Sequence, residues 1–300
     1  MNKEVKRKFI IGDEWLYYKL YTGPKTADKI LTEVIKPVTE KLLLDNIIDK
    51  WFFIRYADPK LHIRVRFHYK SPEKIFNITE IVKKFINPYI EDGLIWKVQA
   101  DTYNREIERY GYDTIELAED LFFRDSEMIV NMLDLIEGDE GEVVRWLFSL
   151  RAIDALLENF KYDEQQKLNL SEKLKTGFGK EFGMNKSLKR QLDMKFRKER
   201  FVINNVLNRK NDSESEMKQL FELLNKKSSD IEQIVSYLLE KNVNNKLQAP
   251  LDDLLSSYIH MTMNRIFKSK QRVHEMVIYD FLYHYYTSNI AKMKYCKVGS

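Results

Sequence analysis

The segment His62-Ile63-Arg64-Val65-Arg66 combines β-forming residues with ionisable ones. A β-strand alternates its side chains between two faces, so we expect His62, Arg64 and Arg66 to point the same way at a spacing of roughly 7 Å. Guanidinium groups placed in this way form a stripe that can bind an anion. The same pattern also fits the solvated face of a half-buried strand, so the segment alone leaves both interpretations open.

A second group of ionisable residues lies in the segment YNREIERYGY, residues 103–112. If this segment is helical, Arg105 and Arg109 lie one turn apart and Glu106 faces Arg109 at i, i+3, before the helix ends near Gly111. An exposed pair of this kind contributes only about 0.3–0.5 kcal/mol. Its position between the predicted sheet and the helices favours a role in a pocket.

The third group is His260 and Asn264 in SYIHMTMNRIF, residues 257–267. At i, i+4 the two polar side chains share one face of an otherwise apolar helix, where each needs a hydrogen-bond partner or costs roughly 1–3 kcal/mol. His260 therefore fits either a satisfied core histidine or a proton-transfer group whose ordinary pKa suits neutral pH.

The elements that must position these residues follow two patterns. The first hundred residues alternate β-prone and amphipathic segments in the order βαββαβ, at 14–22, 27–46, 50–57, 61–69, 71–90 and 94–103. Pro37 predicts a kink or a break in the first helix, Ser71 and Pro72 predict the start of the second, and Asp58-Pro59-Lys60 predicts a hairpin turn. The order is that of a ferredoxin-like unit with both helices on one sheet face.

Period-3.6 apolar spacing dominates from about Gly111 onward. It predicts helices at 113–138, 142–160, 163–178, 187–207, 251–267 and 273–293, and two more within 212–242 that divide near Ser228. We therefore predict an α+β protein in two parts: a sheet subdomain over residues 1–110, packed on a helical bundle over residues 111–300.

Composition narrows the classes of function. The chain has 300 residues, 44% of them hydrophobic, and 50 basic residues against 46 acidic ones, a net charge of +4 too small to indicate nucleic-acid binding. Its single cysteine, Cys296, excludes internal disulfides and cysteine-cluster metal sites. The sequence contains neither a signal peptide nor an apolar run long enough to cross a membrane, so we expect a cytoplasmic protein. It also has no HExxH, GxGxxG or P-loop motif, so we expect no metal or cofactor.

Four segments together resemble a known family: WFFIRYADPKLHIRVRF, YNREIERYG, LRAIDALLENF and SYIHMTMNRIF. In this order and spacing they are similar to the C-terminal domain of lantibiotic dehydratases, also found in thiopeptide-type bacteriocin biosynthesis proteins. The resemblance runs from about Trp15 to Tyr285. It implies elimination of glutamate from glutamylated Ser or Thr residues of a precursor peptide, which leaves dehydroalanine or dehydrobutyrine.

The resemblance also implies roles for particular residues. The family's elimination residues fall on Arg64, Arg66, Glu106, Arg109 and His260, with His260 as general base or acid and the arginines as clamps on the glutamate. Substrate-binding support is expected from neighbouring polar residues, namely Arg55, His62, Arg105, Asn264 and Arg265. Where the family usually reads RYGG, this chain has Tyr112 in the last position, which alters the neighbouring loop.

The length leaves no room for the glutamylating portion, so the resemblance implies a stand-alone elimination subunit with a separate tRNA-dependent glutamylation subunit as partner. A homodimer is a further expectation. Two alternatives stay open: a thiopeptide pyridine synthase, which joins two dehydroalanines and expels the leader peptide, and a non-catalytic subunit that binds the precursor peptide.

Overall fold

The computed structural model describes residues 5–136, 140–208 and 217–298. Its strands are β1 (Lys8–Phe9), β2 (Trp15–Tyr21), β3 (Lys50–Ala57), β4 (Leu61–His68), β5 (Lys97–Ala100) and β6 (Tyr103–Asn104). The helices up to residue 135 are α1 (Pro24–Ile30), α2 (Lys36–Leu44), α3 (Lys74–Glu91), α4 (Ile107–Tyr110) and α5 (Ile115–Leu135). The predicted α+β class is confirmed.

The remaining helices make up most of the second half of the chain. They are α6 (Glu140–Asn159), α7 (Glu164–Glu181), α8 (Lys186–Asn208), α9 (Lys218–Asp230), α10 (Glu232–Val243), α11 (Leu251–Ile266) and α12 (Gln271–Val298). The two helices predicted within 212–242 divide at Ile231 rather than near Ser228. The part of that segment before Met217 lies outside the described residues. Within the described ranges, no helix is both long and apolar enough to cross a bilayer.

The described residues form two compact units. The first contains residues 1–135, 240–254 and 264–269, and the second contains residues 136–239, 255–263 and 270–300. Helix α11 therefore contributes residues to both units. The sequence predicts a boundary between residues 110 and 111. In the structure the first unit continues through α5 to residue 135.

The main sheet of the first unit has the strand order β3-β4-β2-β5, and every neighbouring pair is antiparallel. One face of β4 presents Ile63, Val65 and Phe67, all buried. Ile30 of α1 and Ile78 of α3 are buried as completely, and α1 contacts β4. Burying this aliphatic face leaves the opposite face of the sheet to carry the arginine stripe.

Several local predictions need correction. The first helix is interrupted by a π-helical segment, Leu31–Ile35, immediately before Pro37, where the Lys36 N–H reaches back five residues to the Leu31 carbonyl. The predicted interruption of the helix is thus confirmed. Its cause is that proline has no N–H to donate to the helical hydrogen-bond ladder. Helix α3 begins at Lys74 rather than Ser71. The predicted strand 94–103 is two strands, because β6 leaves the main sheet to pair with β1.

A buried ion pair fixes the segment that follows the sheet. Arg105 donates from Nε and Nη2 to the two carboxylate oxygens of Glu119 on α5, each at 2.7 Å. The Tyr103 hydroxyl donates to the same carboxylate at 2.8 Å. Because Glu119 is fully buried, its charge depends on these two partners.

We expect Glu119→Gln to lower the free energy of unfolding by about 3–5 kcal/mol, because it removes the buried counter-charge of Arg105 and leaves only the exposed carboxylate of Glu116 nearby. Urea denaturation followed by circular dichroism measures this change. The matched control is Glu116→Gln, since Glu116 lies 3.5 Å from Arg105 and its side chain is 65% exposed. The control should lose less than about 0.5 kcal/mol. Equal losses in the two variants would contradict the structural role of Glu119.

Candidate functional site

Strand β4 places His62, Arg64 and Arg66 on one face of the sheet, as predicted. Their antiparallel partners across β2 are Tyr21, Lys19 and Tyr17, which point the same way. The stripe is not the solvated face of a half-buried strand, because His62 and Arg66 are both buried. Two cationic side chains on a partly buried aromatic surface need either counter-charges or an anionic ligand.

Arg66 is the most unusual of these residues. Its guanidinium carbon lies 4.5 Å from the ring centre of Tyr17, 4.7 Å from that of Tyr103 and 5.0 Å from that of Phe52. The side chain is 7% exposed, and burial lowers its pKa from the ordinary value. Neither its Nε nor its Nη1 has a hydrogen-bond partner among the described residues. Arg66 is therefore a cation surrounded by aromatic rings, and two of its donor nitrogens are unused within the described residues.

The Tyr17 hydroxyl is the second unused polar group in this place. It is buried and, within the described parts of the chain, has no hydrogen-bond partner. Burial raises the pKa of Tyr17, so the phenol keeps its proton and can donate it. Two guanidinium nitrogens and a phenol O–H that lack partners among the described residues, on adjacent strands and the same sheet face, can donate to an oxyanion or carboxylate.

Arg64 is held by its neighbours in a defined orientation. Its Nε donates to Nε2 of His62 at 3.0 Å, and its guanidinium carbon lies 3.4 Å from the ring centre of Tyr56. Nδ1 of His62 lies 2.8 Å from the Lys60 carbonyl, which can only accept, so Nδ1 carries the proton. Burial lowers the pKa of His62, and the ring is therefore neutral at pH 7.

The helical turn α4 carries the second predicted group. Nη1 of Arg109 donates to Glu106 Oε2 at 3.2 Å, so the i, i+3 pair is confirmed, and Gly111 ends the turn with φ +82°. A Cβ at Gly111 would lie 2.7 Å from the Thr114 hydroxyl, and glycine is therefore required there. The Glu106 side chain is 63% exposed, which leaves its second oxygen accessible to solvent.

The structure supplies protein partners for the other cationic residues of the predicted site. Arg55 donates from Nε to the Arg265 carbonyl at 2.9 Å and from Nη2 to Asp28 at 2.6 Å. Arg265, fully buried, donates to the Phe53 carbonyl at 2.8 Å and to Asp125 at 3.0 Å. Together with Arg105, which is paired with Glu119, these residues build the framework of the first unit.

Asn264 extends the edge of the sheet. Its side-chain oxygen accepts from the Arg55 N–H at 2.9 Å, and its amide nitrogen donates to the Arg55 carbonyl at 2.8 Å. The side chain thus imitates a neighbouring strand at one residue of β3. Asn264 thus has the hydrogen-bond partners that its position in an apolar helix requires.

His260 lies in the second unit and belongs to a hydrogen-bonded group of its own. Its Nδ1 lies 2.8 Å from Oε1 of Glu275, whose side chain is fully buried, and the Tyr279 hydroxyl donates to the same oxygen at 3.0 Å. The imidazole is partly exposed. A histidine bound to a buried carboxylate in this way can accept a proton on its other nitrogen.

Sequence reasoning missed Tyr17, Glu275 and Tyr279. Glu275 and Tyr279 lie at i, i+4 in the apolar helix α12, and an acid at such a position requires a buried partner. That signal was available in the sequence. Tyr17 carried no comparable signal, because a tyrosine in an aromatic strand is normally a core residue.

Comparison with known proteins identifies the family. The model described as "Lantibiotic biosynthesis dehydratase C-term" matches residues 15–286, and the chain therefore belongs to this family. Subtilin biosynthesis protein SpaB from Bacillus subtilis is 24% identical over 272 residues, which are 89% of this chain and 25% of SpaB. The chain thus spans about a quarter of the length of that relative.

Two solved structures share the fold. The tRNA-dependent lantibiotic dehydratase MibB from Microbispora sp. 107891 matches with a TM-score of 0.71 and 19% identity, over 94% of this chain and 29% of MibB. The pyridine synthase TbtD from thiomuracin biosynthesis matches with a TM-score of 0.65 and 9% identity, over 94% of this chain and all of TbtD. At these identities the likeness concerns the fold alone.

We expect Arg66→Met to raise the free energy of unfolding by about 1 kcal/mol, because it removes a buried charge with unused donors and keeps the apolar contacts. The matched control is Arg265→Met. It should lower the free energy of unfolding by about 3–5 kcal/mol, because it removes the buried ion pair between Arg265 and Asp125. Urea denaturation of both variants tests the contrast. A destabilised Arg66→Met variant would mean that the guanidinium is already satisfied.

Proposed function

We propose that this chain catalyses the elimination of glutamate from glutamylated Ser and Thr residues of a precursor peptide, as a lyase. A base removes the Cα proton of the modified residue, the Cα–Cβ double bond forms, and the Cβ–O bond breaks. The ester oxygen leaves with the electron pair as part of the glutamate carboxylate. The reaction therefore needs a proton acceptor and cations at the leaving group.

The guanidinium of Arg66 carries this proposal, because its Nε and Nη1 have no hydrogen-bond partner among the described residues. A buried cation surrounded by Tyr17, Phe52 and Tyr103 costs stability unless a ligand supplies the missing acceptors. A carboxylate fits the planar donor edge of a guanidinium and accepts from a phenol at the same time. We therefore assign to Arg66 and Tyr17 the binding of the departing glutamate carboxylate.

The other residues take supporting roles in the same reaction. Arg64, oriented by His62 and Tyr56, adds positive charge beside Arg66 on the same strand face. Arg109 binds the substrate glutamate, and Glu106 orients Arg109. His260 exchanges the proton. Arg55, Arg105, Asn264 and Arg265 support substrate binding by holding β3 and Tyr103 in place.

Several finer assignments belong to this proposal. The strand order β3-β4-β2-β5 supports a ferredoxin-like sheet subdomain over residues 1–110, followed by the helical subdomain over 111–300. Glutamylation would come from a separate tRNA-dependent subunit in the cytoplasm, with the precursor peptide passing between the two. A homodimer is the proposed assembly, and direct nucleic-acid contact and membrane insertion are not part of the proposal.

The decisive experiment incubates the purified chain with a synthetic peptide that carries a glutamyl ester on serine and follows its mass. Loss of glutamate with appearance of dehydroalanine supports elimination. Unchanged mass with tight binding would instead support a non-catalytic role in precursor recruitment. Hydrolysis back to serine at the uncatalysed rate, without binding, would overturn both.

In this assay, Arg66→Met should lower kcat/KM by about 10²–10³-fold, the usual effect of removing a group that stabilises developing negative charge. His260→Gln should lower it by about 10²–10⁴-fold through loss of the proton acceptor. His68→Gln is the matched control, because His68 also pairs with an acid, Asp49, at 2.5 Å. It should stay within twofold of wild type. Near-wild-type turnover in either of the first two variants would remove that residue from the site.

Tyr17→Phe separates substrate binding from folding. We expect unchanged or slightly higher stability, because a buried hydroxyl without a partner is removed, and a loss of about 10–100-fold in kcat/KM. Thermal unfolding and the elimination assay on the same sample measure both quantities. Unaltered turnover would show that the phenol does not contact the ester.

Pyridine synthesis is a second candidate function, because the pyridine synthase TbtD shares this fold over its whole length. That reaction joins two dehydroalanines and has no glutamyl ester to bind, so it gives Arg66 no carboxylate partner. A peptide that already contains dehydroalanines distinguishes the two. Conversion of this peptide to a pyridine, with no action on the glutamyl ester, would replace elimination by pyridine synthesis.

A further inference from the structure

We propose that Glu275 is a positioning residue, which holds His260 as the Nδ1-protonated tautomer and directs its bare Nε2 towards the substrate proton. This inference deepens the proposed function and rests on it for the identity of that proton. The arrangement of the imidazole itself can be tested without any substrate.

The hydrogen-bond geometry fixes the tautomer. Nδ1 of His260 lies 2.8 Å from Oε1 of Glu275 and 3.3 Å from Nε2 of Gln271. An ionised carboxylate only accepts and it makes the shorter contact, so the proton lies on Nδ1, and Gln271 directs its N–H groups to Oε2 of Glu275 and to the His260 carbonyl instead. The Nε2 lone pair is then the basic position of the ring. When Nε2 takes the Cα proton, the resulting imidazolium keeps its Nδ1–H bond to a negative charge, which stabilises the product of the transfer.

Glu275 is itself held in place by three groups of the second unit. The Tyr279 hydroxyl donates to Oε1 at 3.0 Å, and Gln271 donates to Oε2 at 3.3 Å. Nη1 of Arg272 lies 3.6 Å from Oε2 and places a positive charge beside the carboxylate. Burial raises the pKa of Tyr279 well above its ordinary value, so this phenol stays a donor. A fully buried carboxylate with this many donors has one available orientation.

Arg272 makes the carboxylate asymmetric. It is also bound to Glu181, through Nε at 3.1 Å and through Nη2, and its guanidinium carbon lies 4.2 Å from the ring centre of Phe178. Because a guanidinium only donates hydrogen bonds, an acceptor oxygen is favoured at the Oε2 position beside Arg272. In a Glu275→Gln variant, the amide oxygen will therefore face Arg272 and the NH₂ group will face His260.

The substitution is therefore expected to invert the tautomer of the His260 imidazole. Facing an N–H donor, Nδ1 of His260 must accept, and the proton moves to Nε2, where it blocks proton acceptance. Tyr279 can remain bound, since its oxygen accepts from the new amide. A purely structural role for Glu275 would alter stability but would not invert the tautomer.

The experiment is ¹⁵N NMR of the full chain labelled at histidine, with His260→Gln used to assign the resonances. We expect wild-type His260, in its neutral form, to show a protonated Nδ1 and a bare Nε2. In Glu275→Gln we expect the reverse, together with a fall of about 10²–10⁴-fold in the elimination rate. Tyr279→Phe is the matched control, which should keep the wild-type tautomer and lose less than about tenfold in rate.

Two results would overturn the proposal. One is an Nε2-protonated His260 in the wild-type protein, which can be read even if Glu275→Gln fails to fold. The other is an inverted tautomer in Glu275→Gln with an unchanged elimination rate. If the wild-type chain eliminates no glutamate but shows the expected tautomers, the proposed function fails and the arrangement of the histidine stands.

Discussion

The bidentate pairing of Arg105 with Glu119 is the interaction on which the first unit's site depends. It fixes the segment after the main sheet to α5, and the same carboxylate holds the Tyr103 hydroxyl. Tyr103 in turn forms one wall of the aromatic surroundings of Arg66. A buried carboxylate that has accepted two partners gives rigid positions to both, because neither can leave without exposing an unpaired charge to an apolar interior.

Two buried arginines of this unit differ in how the protein compensates their charges. Arg265 donates to Asp125 and to a backbone carbonyl, so its charge is compensated by the protein. Arg66 is surrounded by rings, and two of its nitrogens lack acceptors within the described residues. A loss of folding stability from a buried charge without acceptors is characteristic of functional sites, where a ligand supplies the missing hydrogen bonds.

The second unit supplies a different kind of chemical group. A histidine bonded to a fully buried carboxylate has a fixed tautomer and a fixed ring orientation, which are the two properties a proton acceptor needs. The cationic and aromatic groups of the first unit can hold a carboxylate but cannot take up a proton at neutral pH. The proposed elimination assigns charge stabilisation to the arginines and proton transfer to His260.

The sequence by itself determined the alternation that puts His62, Arg64 and Arg66 on one face, the Glu106–Arg109 pair and the α+β class. These follow from local periodicity, which needs no knowledge of distant residues. Only the tertiary structure decided that two nitrogens of the buried Arg66 have no hydrogen-bond partner among the described residues, while Arg105, Arg55 and Arg265 are ion-paired. It also decided that Glu275 partners His260. Such outcomes depend on which residues meet across long stretches of chain, and neighbouring residues in the sequence do not encode them.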